Sequence, residues 1–108
     1  MEDVKKTIVK FTKDRDWDQF HSPTNLAKSI AIESGELLEC FQWNDNFNKE
    51  DVCDELADVI IYAILLADKL DVNLEEIIMK KMEKNSKKYP KKYPIEKAKG
   101  NSKKYTEL

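Results

Sequence analysis

The pattern of apolar and polar positions predicts four helices and no strands. The predicted helices cover about 2–14, 22–43, 49–70 and 73–89. In the first helix, Val4, Ile8 and Phe11 recur at the spacing of one helical face. Residues 15–21 have no clean period, and we expect a connector there. Ser22 followed by proline predicts the start of the second helix, with the hydroxyl as its cap and proline at its first position.

Polar residues and proline mark the remaining helix boundaries. The second helix should run to about Gln42 or Trp43, where the polar run 44–48 breaks it. Asn73 followed by Glu76 resembles a capping box and predicts the start of the fourth helix. The apolar positions of this helix fall on one face: Leu74, Ile77, Ile78 and Met82. Tyr89 precedes proline and should end it.

Composition agrees with an all-α fold. The chain has 108 residues, with only 2 Gly and 3 Pro, so it has little of the turn chemistry that hairpins need. We expect one helical domain over 1–90 and a Lys-rich tail over 91–108. A helical bundle of this size leaves apolar faces uncovered, which favours completion by oligomerisation.

The charge is divided unevenly along the chain. Residues 1–79 carry 8 Lys and Arg against 18 Asp and Glu, whereas residues 80–108 carry 11 Lys against 3 Glu. A basic tail after an acidic segment is compatible with nucleic-acid binding, with binding of a phosphate ligand, or with a role in solubility only. We expect a soluble cytoplasmic protein for three reasons. The charged N-terminus is unlike a signal peptide, and the apolar run 59–67 is too short to span a membrane. The two cysteines form no CxxC motif. We expect Cys40 and Cys53 to be reduced, packed thiols.

Two carboxylate pairs interrupt the apolar stripes of the second and third helices. The stripe of the second helix is Leu26, Ile30, Glu33, Leu37 and Cys40, and Glu36 follows three residues after its carboxylate. The stripe of the third helix is Val52, Glu55, Val59, Tyr62 and Leu66, and Asp58 follows in the same way. The run 59–67 after Asp58 is apolar on every side and predicts a segment buried all round.

Buried carboxylates need a compensating positive charge. Lys28 is the only basic residue between Ser22 and Phe47, so ion pairing within the second helix is a weak explanation. Protonation of four neighbouring acids would need large pKa shifts. Facing helices with hard oxygen ligands favour Mg²⁺. An iron or manganese site is disfavoured because neither helix has the Glu-x-x-His pair of such bundles.

Aromatic residues at the element ends suggest a base-stacking pocket beside this metal. Trp17 and His21 lie in the irregular connector, which favours a functional role for both. Trp43 suits either role, and for Phe20 and Phe41 we expect core packing. These rings and Tyr62 flank the predicted carboxylate site in sequence.

Four segments of the chain form a recognisable set: RDWDQFHSPTNL at 15–26, ESGELLECFQW at 33–43, DELADVIIY at 54–62 and SKKYTEL at 102–108. Together they resemble the MazG-like nucleotide pyrophosphohydrolases and are most similar to the dCTP pyrophosphatase branch of that family. The resemblance implies an all-α scaffold that assembles as a homodimer or homotetramer. It also implies hydrolysis of a nucleoside triphosphate, such as dCTP or a related pyrimidine deoxynucleotide, to the monophosphate and pyrophosphate.

The resemblance also assigns roles to individual residues. Glu33, Glu36, Glu55 and Asp58 would bind Mg²⁺, and Trp17, His21, Trp43 and Tyr62 would line the nucleoside pocket. Lys81, Asn85, Lys88 and Tyr89 would contact phosphate. As a mechanistic hypothesis, Glu36 could also orient the attacking water. Glu39, three residues further along, could support Glu36 or could be a solvated charge. Two features depart from the family pattern: Ile32 stands where many relatives have Glu, and the repeat of Lys-Lys-Tyr-Pro at 87–94 leaves two candidates for the phosphate-contacting position.

Two other functions remain open at the level of sequence. A phosphoribosyl-ATP pyrophosphohydrolase shares the carboxylate pattern, although the 17–21 block and Trp43 favour a free nucleotide base. A non-catalytic helical module that binds nucleic acid through the Lys tail is the alternative from another class. We expect the nucleotide substrate, and neither a membrane nor a nucleic acid, to be the partner.

Overall fold

The computed structural model describes residues 1–43 and 46–91. Within these ranges the chain forms four α-helices and one short 3-10 turn, and no strand. The elements are α1 (Glu2–Asp14), the 3-10 turn (Asp18–Phe20), α2 (Pro23–Glu39), α3 (Lys49–Lys69) and α4 (Leu74–Lys88). The all-α prediction is therefore confirmed. Most of the predicted tail and the closing 102–108 block lie outside the described residues.

The chain divides into two compact units, Met1–Val72 and Asn73–Leu108. In the first unit α2 packs along α3 and α1 packs against α3. Its buried apolar side chains are Leu26 of α2 and three residues near the end of α3: Ile64, Leu65 and Ala67. The central helix α3 therefore carries most of this small core.

Side-chain caps start three of the helices. Ser22 Oγ accepts a hydrogen bond from the Asn25 amide at 3.1 Å, as the sequence predicts. The Asn73 side chain accepts one from the Glu76 amide at 3.0 Å and begins α4. Asn48 caps α3 in the same manner, which the sequence analysis did not foresee.

Helix α2 ends at Glu39, three to four residues earlier than predicted. The amides of Cys40, Phe41 and Gln42 each bond to the carbonyl three residues back, at 3.0–3.2 Å. Such bonds tighten the last turn into 3-10 geometry, and the α-helical winding stops. The side chain of Trp43 lies beyond this turn and is 85% exposed.

Left-handed aspartates end α1 and α3. Asp16 has φ 57° and Asp71 has φ 54°. The amide of the residue after each aspartate donates to the carbonyl five residues back, as in a Schellman motif. Trp17 donates to Thr12 in this way, and Val72 donates to Ala67. The motif fixes the point at which Trp17 leaves α1.

The prediction that residues 59–67 are buried all round is wrong for the single chain. Ile64, Leu65 and Ala67 are buried, but Ile60 is 44% exposed. The physical reason is that α1 and α2 cover only part of the circumference of α3. Cys53 is also exposed rather than packed, and both described cysteines are free thiols.

The second unit contains α4, whose apolar side chains are only partly covered. Ile77, Ile78 and Met82 are 42–57% exposed along the face that the sequence predicts. Acidic residues occupy its first turn and Lys87 and Lys88 its last turn, which suits the helix dipole. None of the helices in the described ranges has the length and apolar character that a membrane span requires.

Candidate metal centre and nucleotide pocket

Three carboxylates converge where α2 packs along α3. Glu33 comes from α2, and Glu55 and Asp58 come from α3 one turn apart. One oxygen from each lies within 4.8 Å of the other two, and all three residues are half-buried. We call Glu33, Glu55 and Asp58 the acidic cluster. The structure thus brings together three of the four carboxylates that the sequence selected.

Two oxygens of the acidic cluster lack a hydrogen-bond donor among the described residues. The Oε2 atoms of Glu33 and Glu55 are buried with no hydrogen-bond partner among the described residues. The ion pairs in the described part of the chain involve other carboxylates, those of Asp14, Asp18, Asp68 and Glu83. Each orphaned oxygen is therefore destabilising until a cation or a proton meets it.

The protonation behaviour of the cluster shows the same deficit of positive charge. Burial, and next the neighbouring carboxylates of Glu36, Asp58 and Glu55, raise the pKa of Glu33 to about 7. Burial and the charge of Glu36 also raise the pKa of Glu55. Carboxylates that resist ionising together in the bare protein fit a divalent cation, because a hard cation takes several anionic oxygens at once.

Glu36 lies beside the acidic cluster but is not one of its three converging members. Its side chain is exposed, yet it is close enough to raise the pKa of both Glu33 and Glu55. Glu39 is the last residue of α2 and is exposed. Metal binding by Glu36 and the catalytic roles suggested for Glu36 and Glu39 therefore remain predictions.

A pocket of about 370 Å³ adjoins the cluster in the first unit. It brings together the predicted base-binding residues Trp17, His21 and Tyr62 with Asp58 of the acidic cluster. The rest of the lining is mostly apolar: Thr7, Ile8, Phe11, Thr12, Ile61 and Leu65. An apolar pocket with a few polar groups and a carboxylate at its wall is typical of a small-molecule site.

Edge-to-face contacts fix the rings of this pocket. His21 and Tyr62 meet with ring centroids 6.4 Å apart and an interplanar angle of 84°. Phe11 and Trp17 meet at 5.6 Å and 71°, and the Arg15 guanidinium lies 3.5 Å from the Phe11 centroid. Trp17 remains 47% exposed, so part of its ring is free to stack on a ligand.

His21 supplies a polar group to the pocket. Its Nδ1 atom is buried and makes no hydrogen bond to the described residues. A buried ring nitrogen of this kind is destabilising unless a ligand or water completes it. It can therefore bond a polar group of a molecule in the pocket.

Several pocket residues escaped the sequence analysis. Ile8 and Phe11 were assigned only to the apolar stripe of α1, and Thr12 was not singled out although it is buried. The ion pair between Lys69 and Asp18, 2.8 Å long, was also missed. The signal for Lys69 was its position seven residues after Tyr62, which places both on one face of α3.

Other predicted residues are not brought into this pocket. Trp43 follows the far end of α2, is exposed and is not among the residues that line the pocket. Phe20 is 62% exposed and Phe41 39% exposed, so the prediction that both pack in the core is wrong; Phe41 instead meets Phe47 at 4.8 Å. The short winding after Glu39 and the 3-10 turn leave these rings at the surface.

The four predicted phosphate contacts belong to the second unit. Lys81 and Asn85 lie within α4, Lys88 is its last residue, and Tyr89 follows it. The Lys88 ammonium lies 5.3 Å from the Tyr89 ring centroid. Their roles toward phosphate remain predictions.

Comparison with known proteins gives a consistent result. The chain is 36% identical to dCTP pyrophosphatase 1 of Mus musculus and of Homo sapiens, in alignments that cover all of this chain and 67% of each relative. The crystal structure of a pyrophosphatase from Archaeoglobus fulgidus superposes with a TM-score of 0.79 at 42% identity, over 84% of this chain and 93% of that one. A model of the MazG-like family matches residues 28–108. This chain therefore belongs to the MazG-like family, near its dCTP pyrophosphatase branch.

Proposed function

We propose that this protein is a Mg²⁺-dependent pyrophosphohydrolase that converts a nucleoside triphosphate to the monophosphate and pyrophosphate. Its preferred substrate would be dCTP or a related pyrimidine deoxynucleotide. One observation carries the proposal: Asp58 belongs both to the acidic cluster and to the wall of the aromatic pocket. A metal site and a base-sized pocket that share a residue suit a molecule with a planar ring and a polyphosphate.

The comparisons support the class of reaction. The relatives named dCTP pyrophosphatase 1 match the whole chain, and the structural neighbour is described as a pyrophosphatase. These relatives support nucleotide pyrophosphohydrolase activity directly. The acidic cluster supports a bound metal, and the aromatic pocket supports a bound base.

The acidic cluster would hold the metal. Glu33, Glu55 and Asp58 present converging oxygens, and Glu36 lies near enough to join them. Bound Mg²⁺ would offset the charge of the triphosphate in the transition state. The exposed carboxylate of Glu36 could orient the water whose oxygen forms the new bond to phosphorus as the bridging P–O bond breaks.

The pocket would hold the base. The part of Trp17 that remains exposed offers a stacking surface, and the edge-to-face pair of Tyr62 and His21 lines the same pocket. The unpartnered Nδ1 atom of His21 would bond a polar edge of the base. Trp43 and the phosphate contacts from Lys81, Asn85, Lys88 and Tyr89 are part of the same proposal, as the family resemblance implies.

Self-association would complete the molecule. Apolar side chains of α2 and α3 are exposed in the single chain: Ile32, Leu38, Leu56 and Ile60. Surfaces of this kind are typical of interfaces between copies, and a homodimer or homotetramer is the assembly that we propose. We further propose that the enzyme acts in the cytoplasm on free nucleotides.

Substitution of one metal ligand tests the proposal. Glu55→Gln should abolish Mg²⁺-dependent release of pyrophosphate from dCTP, because the amide cannot supply the anionic oxygen. Helical circular dichroism should stay unchanged. Glu50→Gln is the matched control, since Glu50 is an exposed residue in the first turn of the same helix. Full activity in Glu55→Gln would refute the metal assignment.

A further inference from the structure

An ion pair ties the connector that carries Trp17 and His21 to the last turn of α3. Lys69 Nζ lies 2.8 Å from Asp18 Oδ1, across 51 positions of sequence. The same ammonium lies 3.5 Å from the Asp18 carbonyl oxygen. The hydrogen bond from Lys69 holds the pKa of Asp18 below its ordinary value, which agrees with a formed pair.

The pair acts at the point where the connector presents the base-binding residues. The Asp18 carbonyl that faces Lys69 also accepts the His21 amide hydrogen at 3.1 Å. Trp17 immediately precedes Asp18, and its carbonyl accepts the Phe20 amide at 2.9 Å. Displacing Asp18 would therefore shift both Trp17 and His21.

Two further hydrogen bonds hold the connector, one to α1 and one to α2. The Trp17 amide bonds to the Thr12 carbonyl of α1 at 2.9 Å. The Asn25 side chain of α2 donates to the Phe20 carbonyl at 3.0 Å. Among the hydrogen bonds of the described ranges, only those between Lys69 and Asp18 join the connector to α3.

Helix α3 carries three other residues of the site on the face that bears Lys69. Asp58, Tyr62, Leu65 and Lys69 follow at steps of four, three and four, which is a single stripe. The stripe thus contains a member of the acidic cluster, the ring that meets His21, a residue of the pocket wall and the lysine. A connector fixed to Lys69 is therefore held in register with Asp58 and Tyr62.

We propose that the pair between Lys69 and Asp18 positions Trp17 and His21 for the nucleoside, and so sets substrate affinity in the reaction proposed above. Lys69 and Asp18 are positioning residues, because neither lines the pocket. The inference rests on the proposed function for its substrate. The pair is only partly exposed, with side-chain exposures of 26% and 40%, so its loss should have a measurable but modest effect.

Kinetics of single substitutions test the pair. Lys69→Met and Asp18→Ala should each raise KM for dCTP about fivefold, and kcat should change less than twofold, because the acidic cluster is untouched. Lys69→Arg restores a cation and should behave as the unsubstituted enzyme. Lys10→Met removes an exposed ion pair of similar length on α1, to Asp14 at 2.6 Å, and should leave KM unchanged.

A spectroscopic readout separates this proposal from the proposed function. His21 is the only histidine of the chain, so its ring protons give a unique set of NMR signals. The intact protein should show a nuclear Overhauser contact between the His21 and Tyr62 rings, which Lys69→Met and Asp18→Ala should lose. Unchanged KM together with a retained ring contact in both variants would overturn the positioning role. Absence of any nucleotide turnover in the unsubstituted protein would overturn the proposed function, and the ring contact would then decide the positioning role alone.

Discussion

The acidic cluster predicts that stability falls with rising pH in the metal-free protein and that a divalent metal removes this fall. In the metal-free protein the pKa of Glu33 is about 7, against 4.5 for an ordinary glutamate. Between these two values the folded chain holds a proton that the unfolded chain has lost. Stability must therefore fall as pH rises through this window, and the full loss is present above pH 7.

The structure gives the size of this effect. A rise in the pKa of Glu33 from 4.5 to about 7 corresponds to an upper bound of about 3 kcal/mol. The side chain is only half-buried and water screens its neighbours, so we expect about 1–2 kcal/mol. For a domain of this length that is a fall in Tm of roughly 5–10 °C between pH 5 and pH 8.

Magnesium should cancel this fall, because it binds the ionised carboxylates. Thermal unfolding by circular dichroism in EDTA and in excess Mg²⁺, at pH 5 and pH 8, measures both effects. A Mg²⁺ concentration ten times Kd should stabilise the protein by about 1.4 kcal/mol at pH 8, and by much less at pH 5. Glu33→Gln should flatten the pH dependence in EDTA and weaken the Mg²⁺ effect. A Tm in EDTA that does not fall with pH, or an equal Mg²⁺ shift at both pH values, would refute the reasoning.

Three further substitutions test separate features. Trp17→Ala should raise KM for dCTP with little effect on Mg²⁺ affinity, measured by activity against Mg²⁺ concentration, since its ring lines the pocket and not the acidic cluster. Ile60→Asp places a charge on the exposed apolar face of α3 and should lower the mass seen by light scattering; an unchanged mass would exclude this face from the interface. Ser22→Ala removes the cap of α2 and should destabilise the fold by about 1 kcal/mol in denaturant unfolding, whereas Ser34→Ala on the exposed face should not.

Helix positions and the acidic cluster could be predicted from sequence because both depend on local periodicity. Glu33 and Glu55 each interrupt an apolar stripe, and a stripe fixes the face on which a residue lies. Facing stripes of two packed helices then had to bring the carboxylates together. The same rule placed Tyr62 beside Asp58.

The features that sequence did not predict depend on contacts between distant elements. The pair between Asp18 and Lys69 joins residues 51 positions apart, so the position of Lys69 on the same helical face as Tyr62 does not reveal its partner. Thr12 is buried through its own bond to the Val9 carbonyl and the packing of α1, which its sequence neighbours do not reveal. Exposure of Ile60 could not be predicted either, because an apolar residue has the same pattern whether its own chain or a second copy covers it.

The central claim is that the acidic cluster and the aromatic pocket form one site for a metal-bound nucleoside triphosphate. Separation of the products of dCTP by anion-exchange chromatography, in Mg²⁺ and in EDTA, tests it most directly. The claim predicts equal amounts of dCMP and pyrophosphate in Mg²⁺ and none in EDTA. Release of dCDP and phosphate, or product formation that persists in EDTA, would contradict it.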